Sequence, residues 1–323
     1  MTGRGTQRTP TRLPSADAVT GPGSTPGLGR PTQGSPARPC GPHAVRDQAP
    51  GANVTTGDPV SAEPLLEIER LSKSFNGLRA VSEYQLALRE SEILGIIGPN
   101  GAGKTTIFHL ITGFLKPSAG RVRFRGHDIT DMAPPRIVKL GLARTFQNIR
   151  LFDKLTVLEN VTVALQLHTR YNFAEVLASW PSFRAKERRI REESLTLLDL
   201  LGLADQRARQ AGSIAYGDKR RLEIARALAT RPKVLLLDEP AAGTNPHESD
   251  QLHDLILSLR QQFALTVILV EHDMRLVMNL CQRLQVLNYG KIIAVGTPEE
   301  VRQHPQVIES YLGSSGSALA AAP

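Results

Sequence analysis

The chain has 323 residues and a formal net charge of +8, a length that allows two domains or one domain with tails. Aromatic residues make up only 5% of it. Its basic runs, residues 183–192 and 218–223, carry glutamates at helical spacing, so we interpret them as solvated helix faces, which argues against a nucleic-acid-binding surface. The sequence also contains no apolar run of about 18 residues that could span a membrane and no secretory signal near its start. Cys40 and Cys281 have neither metal nor disulfide spacing, which favours a reduced, cytosolic setting.

The two ends of the chain differ in composition from the rest. Residues 1–62 are dominated by Pro, Gly, Ser and Thr. Such a segment cannot bury enough apolar surface to offset the entropy lost on ordering, so we predict a disordered N-terminal extension. The last residues, 313–323 (GSSGSALAAAP), are predicted to form a flexible C-terminal tail. The folded body is therefore expected to span residues 63–312.

Within this body the hydrophobic pattern predicts an α/β fold. Alternating residues and tight turns at 65–90 and 284–297 indicate an antiparallel lobe. Three short aliphatic runs end in polar residues and are typical of strands buried on both faces of a parallel sheet: EILGIIG (92–98), KVLLLDE (233–239) and LTVILVEHD (265–273). The segment from about 141 to 230 is charged and mostly helical in pattern, and we interpret it as an inserted helical subdomain.

The most specific motif is IIGPNGAGKTT (96–106), which matches the pattern G-x-x-x-x-G-K-[ST] between an aliphatic strand and a helical segment. Glycines let backbone N–H groups surround phosphates, and the helix N-terminus adds partial positive charge. Lys104 would reach the β- and γ-phosphates and Thr105 would bind Mg²⁺; the alternative is a structural glycine-rich turn. The predicted nucleotide-binding residues here are Gly98, Pro99, Asn100, Gly101, Ala102, Gly103, Lys104, Thr105 and Thr106.

Acidic and imidazole groups follow the later strands. Asp238 ends a buried run and can hold Mg²⁺ through water, while Glu239, next to it, can orient or deprotonate an attacking water. His272 follows the next strand and would lie beside the same phosphate. The alternatives are an ordinary acidic strand end and a structural histidine.

In this order, these residues resemble the nucleotide-binding subunits of ABC transporters over essentially all of 65–312. The resemblance implies a P-loop cassette with a RecA-like core, an antiparallel β lobe and an inserted helical subdomain. It also implies that Gln147, in RTFQN (144–148), acts in catalysis and at the metal, and that Glu239 and His272 are catalytic. Phe75 is matched to the aromatic that stacks on adenine, although a core phenylalanine is the alternative. AAGTNP (241–246) matches the D-loop, with Thr244 in place of the usual Leu.

The segment Ile214–Asp218 aligns with the ABC signature, usually Leu-Ser-Gly-Gly-Gln. The resemblance implies that it binds the γ-phosphate of ATP held by an opposite subunit, with backbone N–H groups and the helix dipole supplying much of the interaction. Ala215 departs from the pattern because it has no hydroxyl to donate. The predicted binding residues of this segment are Ala215, Tyr216, Gly217 and Asp218.

Several longer segments resemble the LivG-type ATPases of branched-chain amino acid importers: 141–161, 180–189, 238–246, 271–278 and 304–313. The resemblance implies a motor subunit that uses ATP and Mg²⁺ at the cytoplasmic face of the inner membrane. Its implied partners are two transmembrane permease subunits, a second ATPase subunit in a hetero- or homodimer, and a solute-binding protein reached through the permease. The cargo would be branched-chain amino acids or related compounds.

Two other functions are alternatives to this one. A soluble ABC ATPase acting on nucleic acid or ribosomes would carry tandem cassettes or a long coiled coil, and the sequence has one cassette and no heptad run. A pseudo-ATPase is disfavoured because Lys104, Asp238, Glu239 and His272 are all retained.

Overall fold

The computed structural model describes residues 63–169 and 181–315. The predicted N-terminal extension, residues 1–62, lies outside the described residues, as do 170–180 and the end of the chain from 316 onward. Within the described ranges, no helix has the length and apolar character needed to cross a membrane.

The strands form two sheets. One is four-stranded in the order β2-β1-β4-β5 and the other is six-stranded in the order β10-β9-β3-β8-β7-β6. The strands are β1 (Leu66–Phe75), β2 (Leu78–Leu88), β3 (Ile93–Ile97), β4 (Ala119–Phe124), β5 (His127–Asp128), β6 (Leu142–Arg144), β7 (Val234–Asp238), β8 (Thr266–Val270), β9 (Arg283–Asn288) and β10 (Lys291–Gly296).

The helices follow the strands in a largely alternating order. They are α1 (Lys104–Ile111), α2 (Pro134–Leu140), α3 (Val157–Leu165), α4 (Pro181–Leu200), α5 (Tyr216–Ala229), α6 (Pro246–Phe263), α7 (Met274–Leu280), α8 (Pro298–Arg302) and α9 (Pro305–Ser315). Because α9 continues to Ser315, the predicted tail at 313–323 begins too early: residues 313–315 are helical.

The three aliphatic runs are parallel neighbours in the larger sheet, as predicted. Every residue of β3, β7 and β8 is buried, and the order places β8 between the other two. β6 pairs in parallel with β7, so the predicted start of the helical subdomain at about residue 141 is a few residues too early. Three residues there are too short a run to show strand periodicity in the sequence.

The prediction that 284–297 belongs to the antiparallel lobe is wrong. β9 pairs in parallel with β3 and antiparallel with β10, so this hairpin extends the larger sheet. A tight turn in the sequence identifies the hairpin but not the sheet that its first strand joins. The lobe at 65–90 is confirmed, because β1 and β2 pair antiparallel; β4 and β5 complete that sheet.

The helical segment packs α3, α4 and α5 together through a shared apolar cluster that includes Val161, Leu198 and Leu222. A capping box between Thr156 and Glu159 fixes the start of α3, which satisfies two of its otherwise free backbone N–H groups. The cluster continues under the larger sheet through residues such as Ile97. The start of α5 is thereby anchored relative to the ends of the parallel strands, where the predicted site residues lie.

Candidate nucleotide-binding and catalytic site

The glycine-rich loop connects β3 to α1 and depends on glycine for its backbone conformation. Gly98 has φ 147, Gly101 has φ 79 and Gly103 has φ 103, values that side chains disfavour. A Cβ at Gly98 would overlap the carbonyl oxygen of Leu287, and one at Gly103 would lie 2.7 Å from the carbonyl oxygen of Ala80. The loop therefore tolerates no side chain at these points.

Lys104, the first residue of α1, is 6% exposed and folds back over the loop. Its Nζ donates to the carbonyl oxygens of Gly98 at 2.6 Å and Pro99 at 3.1 Å. Burial lowers the pKa of Lys104, and the charges of Glu239 and Asp238 oppose that shift. The ammonium thus lies near the acidic strand end, where phosphate oxygens could replace its carbonyl partners. Thr105 and Thr106 follow it in the first turn of the helix.

The carboxylate of Glu239 joins the other two predicted catalytic residues. Its Oε2 accepts from Gln147 Nε2 at 2.8 Å, and its Oε1 lies 2.7 Å from His272 Nε2. An ionised carboxylate only accepts, so the imidazole Nε2–H is the donor. Glu239 has φ 48, a strained value for a non-glycine residue of the kind found at active sites.

Asp238 is paired with a residue that the sequence analysis did not single out. Arg144 Nη2 donates to Asp238 Oδ2 at 2.8 Å, and the two side chains are 4% and 1% exposed. The guanidinium carbon lies 4.6 Å from the ring centre of Phe146. Burial raises the pKa of Asp238, and Arg144 opposes that shift. The only sequence signal was the place of Arg144 three residues before Gln147.

The donor set fits a magnesium ion. Asp238 Oδ1 is buried and has no hydrogen-bond partner among the described residues, so one carboxylate oxygen is available. The Thr105 hydroxyl and the amide oxygen of Gln147 are the other predicted oxygen donors, the ligand type that Mg²⁺ prefers. Within the described ranges, no group of three or more His, Cys, Asp or Glu side chains is arranged as a metal cluster.

Phe75 ends β1 and its side chain is not part of the core. It is 42% exposed, and Lys73 Nζ lies 5.2 Å from its ring centre. The alternative of a core phenylalanine is therefore wrong. Stacking of adenine on Phe75 stays a prediction.

The signature segment begins α5 without a side-chain cap. Ala215 is the N-cap residue and makes no capping hydrogen bond. Asp218, in the first turn, accepts from Gln206 Nε2 at 2.7 Å. The nearest atom to a Cβ built on Gly217 is Glu248 Oε1 at 3.9 Å, so the backbone is open to approach at this point. Tyr216 is 50% exposed.

The D-loop lies next to the signature tyrosine. A Cβ on Gly243 would lie 3.6 Å from Tyr216 Cε1, and Thr244 Oγ1 donates to the carbonyl oxygen of Ala241 at 2.8 Å. Asn245 caps α6 through a capping box with Glu248. The hydroxyl of Thr244 is thus used within the loop itself, which a Leu at this position could not do.

The interpretation of 218–223 as a solvated helix face is wrong. Arg220 and Glu223 are 3% and 2% exposed, and they contact the loop that carries Gln147. The burial of Arg220 and Glu223 could not be predicted from the sequence pattern, because buried and exposed charged residues have the same helical spacing. Only the opposite charges at i and i+3 hinted at a pair.

Known proteins share this architecture. The profile of the ABC transporter family matches residues 81–242, and that of the branched-chain amino acid ATP-binding cassette transporters matches residues 291–316. The chain is 45% identical over 254 residues to the high-affinity branched-chain amino acid transport ATP-binding protein BraF of Pseudomonas aeruginosa, covering 79% of this chain and 100% of that protein. It is 44% identical to LivG of Escherichia coli K12, with the same coverage of both chains.

The fold also matches a solved cassette. The crystal structure of the ADP conformation of MJ1267, an ATP-binding cassette of an ABC transporter, aligns with a TM-score of 0.68 at 32% identity, covering 78% of this chain and 100% of that one. The protein is an ATP-binding cassette built on a P-loop α/β core. It belongs to the ABC transporter family, as the sequence motifs predicted, and its cassette is an ATP-hydrolysing one.

Proposed function

We propose that this chain is the ATP-hydrolysing motor subunit of an importer for branched-chain amino acids or related compounds, working with Mg²⁺. The observation that carries the hydrolytic part of the proposal is the position of Glu239 between Gln147 and His272. The relatives BraF and LivG, which are similar over their full length, are named for branched-chain amino acid transport. The match at residues 291–316 supports the same cargo class. The alternative of a soluble ATPase acting on nucleic acid or ribosomes is not favoured.

In the proposed reaction, Glu239 holds and deprotonates the attacking water. MgATP, when bound, would supply the γ-phosphoryl group: the water oxygen would bond to the γ-phosphorus as the bond to ADP breaks, and Mg²⁺ would offset part of the developing charge. Gln147 and His272 restrict the Glu239 carboxylate through its two oxygens, so its orientation is set before the water arrives. Lys104 would bind the β- and γ-phosphates as a point charge, and Asp238 and Thr105 would hold the metal. General base catalysis of this kind contributes about 10²–10⁴ in rate.

We further propose that the permease docks in an apolar groove beside Gln147. The groove has a volume of about 580 Å³ and lies between the core and the helical segment. Phe114, Phe152 and Val163 line it and are 46%, 50% and 44% exposed. Its wall includes Arg144 and Phe146, so an occupant would contact the residues that flank Asp238 and Gln147. The proposed importer has two permease subunits, and each would meet one ATPase subunit at the cytoplasmic face of the membrane.

The remaining partners follow from the same proposal. A second ATPase subunit, identical or different, would face the signature segment, and a solute-binding protein would act through the permease. The test is uptake of radiolabelled leucine, isoleucine and valine by a strain lacking this gene, with amides and urea as competing cargo. We expect complementation by the native chain and none by Glu239→Gln. Normal uptake of all these solutes without the gene would contradict the proposed cargo.

A further inference from the structure

One buried ion pair on α5 contacts both the signature segment and the loop that carries Gln147. Arg220 Nη1 lies 3.3 Å from Glu223 Oε2, one turn further along the helix. We call this pair, with its contacts described below, the Arg220–Glu223 clamp. Buried ion pairs are weak evidence for stability, because the cost of desolvation offsets most of the attraction. The role of the Arg220–Glu223 pair therefore lies in the segments that it holds together.

Both side chains of the clamp form hydrogen bonds with the backbone of the loop that carries Gln147. Arg220 Nη1 donates to the carbonyl oxygen of Phe146 at 2.9 Å, and Nη2 donates to that of Gln147 at 3.3 Å. Glu223 Oε1 accepts from the backbone N–H of Phe146 at 3.2 Å and of Arg150 at 3.4 Å. Hydrogen bonds to charged groups contribute more to stability than those between neutral groups. The loop around Gln147 is thus fixed to α5.

The same guanidinium also contacts the signature segment. Arg220 Nη2 donates to the Tyr216 hydroxyl at 3.2 Å, and the guanidinium carbon lies 5.8 Å from the centre of that ring. Tyr216 is half exposed at the start of α5. Arg220 therefore connects an exposed signature side chain to the backbone of Gln147, whose own side chain is bonded to Glu239.

We propose that Arg220 and Glu223 are positioning residues that make the signature helix and the Gln147 loop one rigid unit. A ligand that contacts Tyr216 or Gly217 then sets the position of Gln147 against Glu239 within the same subunit. This inference rests on the proposed ATPase function. It explains why a charged pair occupies a buried stretch of α5 that also contains Leu222 and Ile224, where apolar side chains would pack at a lower cost in desolvation.

The test compares two variants of the full chain with the native protein. Arg220→Met/Glu223→Leu removes both charges together and so leaves no unpaired buried ion. Amide hydrogen exchange at Phe146 and Arg150 should become faster by about tenfold or more, because both N–H groups lose their acceptor. Turnover of ATP should fall by about tenfold while the KM for ATP changes less than about threefold, since the P-loop is untouched.

Arg220→Lys is the second variant, and it keeps the pair neutral overall, so the fold is preserved. A lysine cannot reproduce the planar fork that bonds both carbonyl oxygens and Tyr216. We expect a smaller loss of turnover, again with little change in KM. If the double variant does not fold, Arg220→Lys tests whether Arg220 positions the loop that carries Gln147.

A matched control comes from another Arg–Glu pair that also bonds the backbone. Arg283 Nε lies 2.7 Å from Glu92 Oε1, and its Nη2 donates to the carbonyl oxygen of Ala87 at 2.7 Å. Arg283→Met/Glu92→Leu should lower thermal stability without faster exchange at residues 146–150 and without the loss of turnover.

The inference is overturned if a folded clamp variant exchanges and turns over like the native chain, or if the control loosens residues 146–150 equally. Failure of the proposed function is a separate outcome. In that case the native chain does not hydrolyse ATP, whatever the exchange data show.

Discussion

Arg144 and Asp238 form an ion pair, with Nη2 and Oδ2 2.8 Å apart, at the end of neighbouring parallel strands. Both side chains are almost completely buried. The guanidinium also lies within 5.8 Å of the ring centre of Phe114 and 5.7 Å of that of Phe108. The predicted metal-binding carboxylate is therefore held by a cation that aromatic rings keep in place.

The first prediction concerns the contribution of the Arg144–Asp238 pair to the free energy of unfolding. Arg144→Met should lower the free energy of unfolding by about 3–5 kcal/mol, because Asp238 would be left buried without a counter-charge. Urea denaturation followed by circular dichroism measures this. Adding Asp238→Asn should recover a large part of the loss, since it removes the unpaired charge.

The control for this prediction is an exposed ion pair. Arg275 and Asp250 lie 3.1 Å apart with side chains 50% and 71% exposed, so Arg275→Met should cost at most about 1 kcal/mol. An equal loss in Arg144→Met and Arg275→Met would show that burial of the Arg144 pair has no special energetic role.

The second prediction concerns the nucleotide. Lys104→Ala should abolish detectable ATP binding, because the phosphates lose their main point charge. Isothermal titration calorimetry on the full chain measures it. Lys116→Ala, which changes an exposed lysine 3.7 Å from Asp131, should bind ATP like the native chain. Unchanged affinity in Lys104→Ala would mean that the loop is not a phosphate site.

The parallel strands and the glycine-rich loop could be predicted from the sequence because their signals are local. A continuous aliphatic run such as 93–97 has few alternatives to a doubly buried strand, and Gly98 and Lys104 occur at a fixed spacing. The placement of 284–297 failed because sheet membership is decided by distant partners. No residue pattern within this hairpin indicates that its first strand, β9, pairs with β3.

The burial of charged residues also could not be predicted from the sequence. Arg220 and Glu223 have the spacing of surface residues, yet tertiary packing buries them. Arg144 likewise lies beside Asp238 only because β6 and β7 are neighbours. A charge is costly to bury, so an exposed position is the reasonable expectation for a charged residue. That expectation fails where a buried charge finds an ionic partner or bonds the backbone of a loop, as Arg144 and Arg220 do.

The third prediction tests the general base. Glu239→Gln should bind ATP normally and hydrolyse it at least about a hundredfold more slowly, because an amide cannot accept the proton of water. The glutamine oxygen can still accept from Gln147 Nε2, and its amide NH2 can face His272 once the imidazole adopts the tautomer in which Nε2 accepts. Phosphate release with and without the permease measures turnover. A rate within a few-fold of the native chain would remove Glu239 from the role.

The fourth prediction concerns assembly at the signature. Gly217 is open to approach by another molecule, and we expect the phosphate of a partner subunit's nucleotide to reach its backbone. Gly217→Asp adds bulk and negative charge at this point. Two like charges about 4 Å apart repel by roughly 4 kcal/mol at an effective dielectric constant of about 20. The isolated variant should therefore bind ATP normally, but ATP-dependent dimerisation and turnover should fail.

Dimerisation is best measured by size-exclusion chromatography with ATP in a Glu239→Gln background, where slow hydrolysis keeps the assembled state populated. Ala215→Ser serves as the comparison, because Ala215 is the N-cap of α5 and makes no side-chain cap. A serine there would supply a cap worth about 1 kcal/mol to the helix, so this variant should dimerise at least as well as its parent. If Gly217→Asp also dimerises like its parent, the segment 214–218 does not face a partner's nucleotide, and the site of the second subunit must lie elsewhere on the cassette.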